Sequence, residues 1–266
     1  MECRCNPSAP QLHRFINKSM FITDFDGVLC DSVIECLLVS HNACGKLHSP
    51  SFQRLLDIQK IAPQKHEAFR QLRAYLKGAE DFVPLYMAME QDIPIRSQHD
   101  FTAFRESHKD RIPEYTEAFY AERDYLKTHE KELWLSLNPL FADFADELRQ
   151  RESFEHIHIL TTKRQDDVAA IFDYQKIHFP VEQIVYMKAA EKSPKLLGML
   201  QENGVRFDDA VYFEDQVDFL VESRKHGIGS YLVEWGYVSD EQRSLARRHN
   251  IPIITTGQYK EILRKF

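Results

Sequence analysis

Two aspartates stand two positions apart where an apolar run ends, in "MFITDFDGVLCDS" over residues 20 to 32. Further along, Thr161 and Thr162 follow the apolar "HIL", and Glu214 and Asp215 follow "VYF". If these runs are neighbouring strands, Asp24, Thr161, Thr162, Glu214 and Asp215 converge on one small volume. Clustered carboxylates repel one another unless a cation lies between them, and a hard set of oxygen donors suits Mg²⁺. Each signal also has a plainer reading. Asp26-Gly27 between apolar residues is a hairpin-turn signal. Thr161-Thr162 is also an ordinary strand end or helix N-cap. Glu214, Asp215 and Asp218 also suit a solvated helix start. An EF-hand is excluded, because Val28 and Leu29 occupy positions that need an oxygen ligand and a glycine.

The elements that would position these residues follow from periodicity. From about residue 136 onward, strand and helix signals alternate. "FEHIHILTT", "QIVYM", "AVYFED", "GSYLVE" and "IPIITT" read as strands, and "RQDDVAAIFDYQ", "SPKLLGMLQENG", "DFLVESRKHG" and "GQYKEILRKF" as helices. Such spacing implies parallel βαβ units, and ligands in open parallel sheets gather at the carboxyl ends of the strands. Residues 34 to 135 lack strand-like alternation and read as helices. In "QKHEAFRQLRAYLKG", Ala68, Phe69, Leu72, Tyr75 and Leu76 share a face and Gly78 is a stop. Arg70, Arg73 and Lys77 share another face, read as solvated, with an anionic substrate tail as the sharper alternative. In "DFTAFRESHKDRIPEYTEAFYAERDYL", Pro113 is a break or a first-turn residue.

Composition sets bounds. The 266 residues are 43% hydrophobic, enough for a sizeable core, and the net charge of −7 argues against broad binding to nucleic acid or an anionic membrane. No apolar run approaches the roughly 18 residues that span a bilayer. "MECRCNPSAPQLHRF" lacks the apolar stretch of a secretory leader, which makes a cytoplasmic location the expectation. Cys3, Cys5, Cys30, Cys36 and Cys44 are odd in number and do not form a disulfide framework. Cys3, Cys5 and His13 lack a fourth metal ligand at normal spacing. The sequence contains no phosphate-binding P-loop, no complete dinucleotide fingerprint around Gly227 and Gly229, and no nucleophile elbow.

Taken in order, "DFDGVLCDS", "HILTTKR", "EKSPKLLGMLQENG" and "VYFEDQVDFL" resemble the four motifs of the haloacid dehalogenase-like (HAD) hydrolase superfamily. The resemblance implies an α/β fold: a HAD-like Rossmannoid core with a parallel sheet between helices, made of residues 19–33 and 136–266. It also implies an inserted all-helical C1 cap over residues 34–135, with residues 1–18 as an N-terminal extension. The implied activity is Mg²⁺-dependent hydrolysis of a phosphomonoester on a small phosphorylated metabolite. Asp24 would be the nucleophile, Asp26 the general acid/base, Thr161 a phosphoryl contact and Lys192 the charge-neutralising lysine. Thr162 and Lys195 would be substrate contacts, and Lys195 is the second candidate for the third motif. Asp24, the carbonyl of Asp26 and Asp215 would hold Mg²⁺. Glu214 is a second candidate ligand, because it occupies the usual glycine place of the fourth motif. A phosphomutase of the same superfamily and a catalytically silent binding protein are the rival readings. A dehalogenase fits less well, since Asp26 stands where such members lack an acid.

Overall fold

The computed structural model describes residues 19–266; the expected extension 1–18, with Cys3, Cys5 and His13, lies outside them. Six strands form one parallel sheet: β1 Met20–Thr23, β2 Ile157–Thr161, β3 Ile184–Tyr186, β4 Ala210–Glu214, β5 Gly229–Val233 and β6 Ile253–Ile254. Their order is β3-β2-β1-β4-β5-β6, so the first strand lies near the middle. Between β1 and β2 the chain makes α1 Val33–His48, α2 Pro63–Leu72, α3 Phe82–Glu90, α4 Gln98–Ser107, α5 Ile112–His129 and α6 Lys131–Ser136, followed by one more helix just before β2. The later helices are α7 Ala142–Arg149, α8 Gln165–Tyr174, α9 Lys192–Glu202, α10 Val217–Lys225, α11 Asp240–Arg248 and α12 Thr256–Leu263. This is the expected Rossmannoid α/β fold with a helical cap.

Every residue of β1 is buried, as a parallel strand covered on both faces requires. The pleat sends its side chains to two separate cores. Phe21 stacks on Phe213 with ring centroids 4.6 Å apart. Met20 and Ile22 face the other way, toward Leu160, Tyr212 and Leu232. Register then aligns the strand ends: Thr23 pairs with Ile159 on one side and Phe213 on the other. Asp24, Thr161 and Glu214 therefore finish three adjacent strands at one edge of the sheet.

Three local expectations need correction. Helix α2 stops at Leu72, short of Gly78; Arg73–Tyr75 tighten into a 3₁₀ turn and Leu76 is extended. Packing overrides the helical period there, because the Ala74 carbonyl accepts from Gln216 and Gln242 and the Leu76 side chain is buried. Helix α11 was not expected from "DEQRSLARR": it buries only Gln242 and Ala246, and Ser239 caps it by accepting from the Gln242 amide at 3.2 Å. Helix α7 was likewise missed in the approach to β2. Pro113, by contrast, occupies the first turn of α5, where its missing N–H leaves no bond unmade.

Candidate active site

Local backbone chemistry first places the two aspartates. The Asp24 amide donates to Phe213 at 2.9 Å, extending β1 by one residue. The chain then closes a tight turn in which the amides of Leu29 and Cys30 both donate to the Phe25 carbonyl at 2.9 Å. Gly27 turns that corner at φ +82°, a region open to glycine without Cβ strain. The returning segment 139–141 pins the turn: Asp31 donates its amide to Pro139, and Phe141 donates to Leu29. Asp24 and Asp26 are thus held by a closed loop at the mouth of the sheet.

Asp24, Glu214 and Asp215 each offer a carboxylate oxygen within 4.8 Å of the others. Lys192 reaches into this group from the first residue of α9, 3.1 Å from Asp24 Oδ2 and also bonded to Glu214. Burial and the neighbouring Glu214 push the Asp24 carboxyl up to about 7, against the pull of Lys192. Burial and Glu214 likewise raise Asp215 well above the carboxylate range, with Arg73 opposing. Asp24 Oδ1 is buried and has no hydrogen-bond partner among the described residues. A buried carboxylate oxygen with nothing donating to it is costly, and three carboxylates around one lysine leave negative charge uncompensated.

The oxygens are not equally open to a cation. Glu214 Oε1 accepts from Lys192 and from the Tyr212 hydroxyl, and Oε2 accepts from the amides of Asp215 and Gln216. Its lone pairs are taken, so Glu214 acts as the partner of Lys192. Asp215 accepts the Tyr237 amide on Oδ2 at 3.1 Å and sits between two glycines. A Cβ on Gly27 would lie 2.1 Å from Asp215 Oδ2, and one on Gly236 2.5 Å from Asp215 Cβ. The unpartnered Asp24 Oδ1 and the close-packed Asp215 are the donors left for a divalent ion, and a hard, all-oxygen set of this kind fits Mg²⁺.

The other expected residues divide. Thr161 is fully buried, and its Oγ1 accepts the Lys163 amide at 3.1 Å. Thr162 follows it at the strand end, half-buried. Lys195 does not join the carboxylates: it sits one turn along α9, 4.0 Å from Glu202, and lines an open depression of about 720 Å³ with Arg164, Tyr186 and Met187. Asp26 lies beside the carboxylates with its Oδ1 3.3 Å from Lys163 Nζ. Burial alone would raise the Asp26 carboxyl, but Lys163, Ser32, Arg73 and Arg123 together hold the group below its usual range.

Sequence reasoning missed Lys163, Asn138 and Tyr237. Lys163 was visible only as the residue after "HILTT"; nothing in the sequence showed that its ammonium turns back toward Asp26. Of the basic face of Arg70, Arg73 and Lys77, only Arg73 departs from the solvated reading by being buried; Arg70 and Lys77 stay 40% exposed at the side chain and are ion-paired. Arg70 donates to Asp31 at 2.7 Å, Lys77 pairs with Asp218, and Arg73 is buried with its guanidinium 5.0 Å from the ring centres of Phe82 and Tyr237. Once α2 ends at Leu72, these residues no longer share one helix face, and each docks the helical layer onto the sheet layer.

No family model and no curated protein matches the chain. Solved structures do match its fold. A haloacid dehalogenase-like hydrolase family protein from Streptococcus pneumoniae is 16% identical with a TM-score of 0.57, covering 93% of this chain and 98% of that one. A predicted phosphatase from Clostridium acetobutylicum is 15% identical with a TM-score of 0.55, covering 93% of this chain and 99% of that one.

Proposed function

We propose that this chain, which has the fold of the haloacid dehalogenase-like hydrolases, is a phosphomonoester hydrolase acting on a small phosphorylated metabolite. The cytoplasm is its proposed location. In this reading residues 34–135 form a cap over a core of 19–33 and 136–266. The observation that carries it is the state of Asp24: one oxygen on Lys192, the other buried and unpartnered, at the mouth of a parallel sheet beside Asp215.

Asp24 would attack phosphorus through one carboxylate oxygen, expelling the alkoxide of the ester and leaving its other oxygen for the cation. A carboxylate approaches a phosphate dianion poorly unless positive charge screens the encounter. Lys192 supplies one such charge, and Glu214, saturated with hydrogen bonds, keeps that lysine charged and in place. Mg²⁺, held by Asp24, Asp215 and the carbonyl of Asp26, would add electrophilic stabilisation of the phosphoryl oxygens when bound. Asp26 would protonate the leaving oxygen and then take a proton from the attacking water. Thr161, at the end of β2, is the proposed phosphoryl contact, with Thr162 beside it on the substrate side. Lys195 is proposed for the substrate's outer part, since it faces the neighbouring depression.

A panel of phosphate esters with and without Mg²⁺ tests the proposal. Expected are metal-dependent release of inorganic phosphate and its loss in Asp24→Asn. Phosphate migrating within a sugar phosphate without release would make the protein a mutase. A folded protein that turns over no ester would be a binding module.

A further inference from the structure

One buried cation has no part in the chemistry described so far. Lys163 is 3% exposed, and its ammonium lies 3.3 Å from Asp26 Oδ1 and 3.1 Å from Asn138 Oδ1. The Asn138 amide cannot turn its nitrogen to the lysine without loss, because Nδ2 already donates to the Trp134 carbonyl at 2.8 Å. The asparagine is fully buried just after α6, in the segment that pins the loop carrying Asp26. Lys163 is itself anchored, its amide donating to Thr161. A second buried ion pair, Glu35 with Arg123, lies in the same region and acts electrostatically on both Lys163 and Asp26.

We infer that Lys163, oriented by Asn138, is the positioning residue that fixes the Asp26 carboxylate for the water-activating half of the reaction. An ammonium only donates hydrogen bonds, so it engages Oδ1 as an acceptor and leaves Oδ2 outside that contact. In the second displacement water adds to phosphorus, its proton passes to Asp26, and the bond from phosphorus to Asp24 breaks, returning a free carboxylate. That step requires a base aligned on a mobile water molecule, and small misplacement is expensive there. Asp26 is needed less in the first displacement when the ester's leaving group departs readily as an anion. The Asn138 side chain reaches the chemistry only through Lys163, and the Lys163 side chain only through Asp26.

The inference rests on the aspartyl-phosphate reading above, and one assay separates the two. Rapid-mixing kinetics with dinitrophenyl phosphate follow release of the coloured phenolate, and intact-protein mass spectrometry of acid-quenched samples detects phosphate on the enzyme. The wild type is expected to turn over; none of this activity in a folded wild type would sink the hydrolase reading and this inference with it. In Lys163→Met the steady-state rate should fall by about tenfold to a hundredfold, while the first turnover changes by no more than about threefold. A burst should therefore appear, with phosphate accumulating on Asp24. Asp26→Asn should show the same signature. Asn138→Ala keeps the lysine and loosens it, so it should show a smaller burst, and it tests the inference even if Lys163→Met does not fold. Both phases slowing together without a phosphorylated enzyme, or a higher KM with kcat unchanged, would overturn it.

Discussion

Gly27 and Gly236 set how closely Asp215 can approach the loop that bears Asp24 and Asp26. Gly27→Ala would face two obstacles, a positive φ and a Cβ 2.1 Å from Asp215 Oδ2. The backbone part alone costs about 1–2 kcal/mol, and the displaced carboxylate should lower kcat/KM by about a hundredfold. Urea unfolding and steady-state kinetics measure the two parts separately. Asp215 itself should cost stability where no cation is bound, since burial and Glu214 both oppose its charge. Asp215→Asn is therefore expected to melt about 2–4 °C above the wild type without divalent metal. Added Mg²⁺ should raise the wild-type melting temperature and leave the variant unmoved, as ligand linkage requires. At this scale the strand-end acids were legible in the sequence because residue type and position in the strand are local properties. Which oxygens of Glu214 are already occupied was not, since the donors come from α9, from the strand itself and from the turn after it.

Helices α1 and α5 are joined through a buried ion pair, with Arg123 donating to Glu35 at 2.8 and 2.7 Å and the Trp134 indole donating to the same carboxylate at 3.3 Å. Arg123→Met would strand a buried carboxylate, at a cost of about 3–5 kcal/mol. A double replacement of Glu35 and Arg123 by Met should recover much of that loss, and urea unfolding of the four-protein cycle checks it. Burial works against the Glu35 charge, but Arg123 and then Lys163 hold its carboxyl below the usual range. A lowered folded-state value means that the pair's contribution is complete above the unfolded-state value. It disappears only as the pH falls through the lowered one. The contribution of this pair to the urea midpoint should therefore be lost only in acid, and Arg123→Met should lack that segment of the profile. Helix identity in this layer was readable from periodicity, as Pro113 at the start of α5 illustrates. The early end of α2 was not, because Ala74 leaves the helical ladder to bond side chains from α11 and from the turn before α10.

The helical layer lies closed on the sheet layer. Arg70 holds Asp31, Lys77 holds Asp218, and the Ala74 carbonyl holds Gln216 and Gln242. The two ion pairs are partly exposed and worth at most about 1 kcal/mol each. A protein with both Arg70→Ala and Lys77→Ala should keep its global stability within about 2 kcal/mol. Amide hydrogen exchange over residues 73–77 should nevertheless quicken, because the closed arrangement is a local equilibrium. No helix among the described residues is long and apolar enough to cross a membrane. The chain order of strands and helices determined the α/β fold, and the acids at the strand ends marked the candidate site. Both follow from short-range period and from the parallel sheet's habit of gathering strand ends at one edge. Only the tertiary structure decided which long side chains turn inward. Lys163, Arg73 and Lys195 are all flexible cations on polar stretches of sequence. Packing from distant segments buried the first two and left the third facing outward, and no neighbour in sequence encodes that choice.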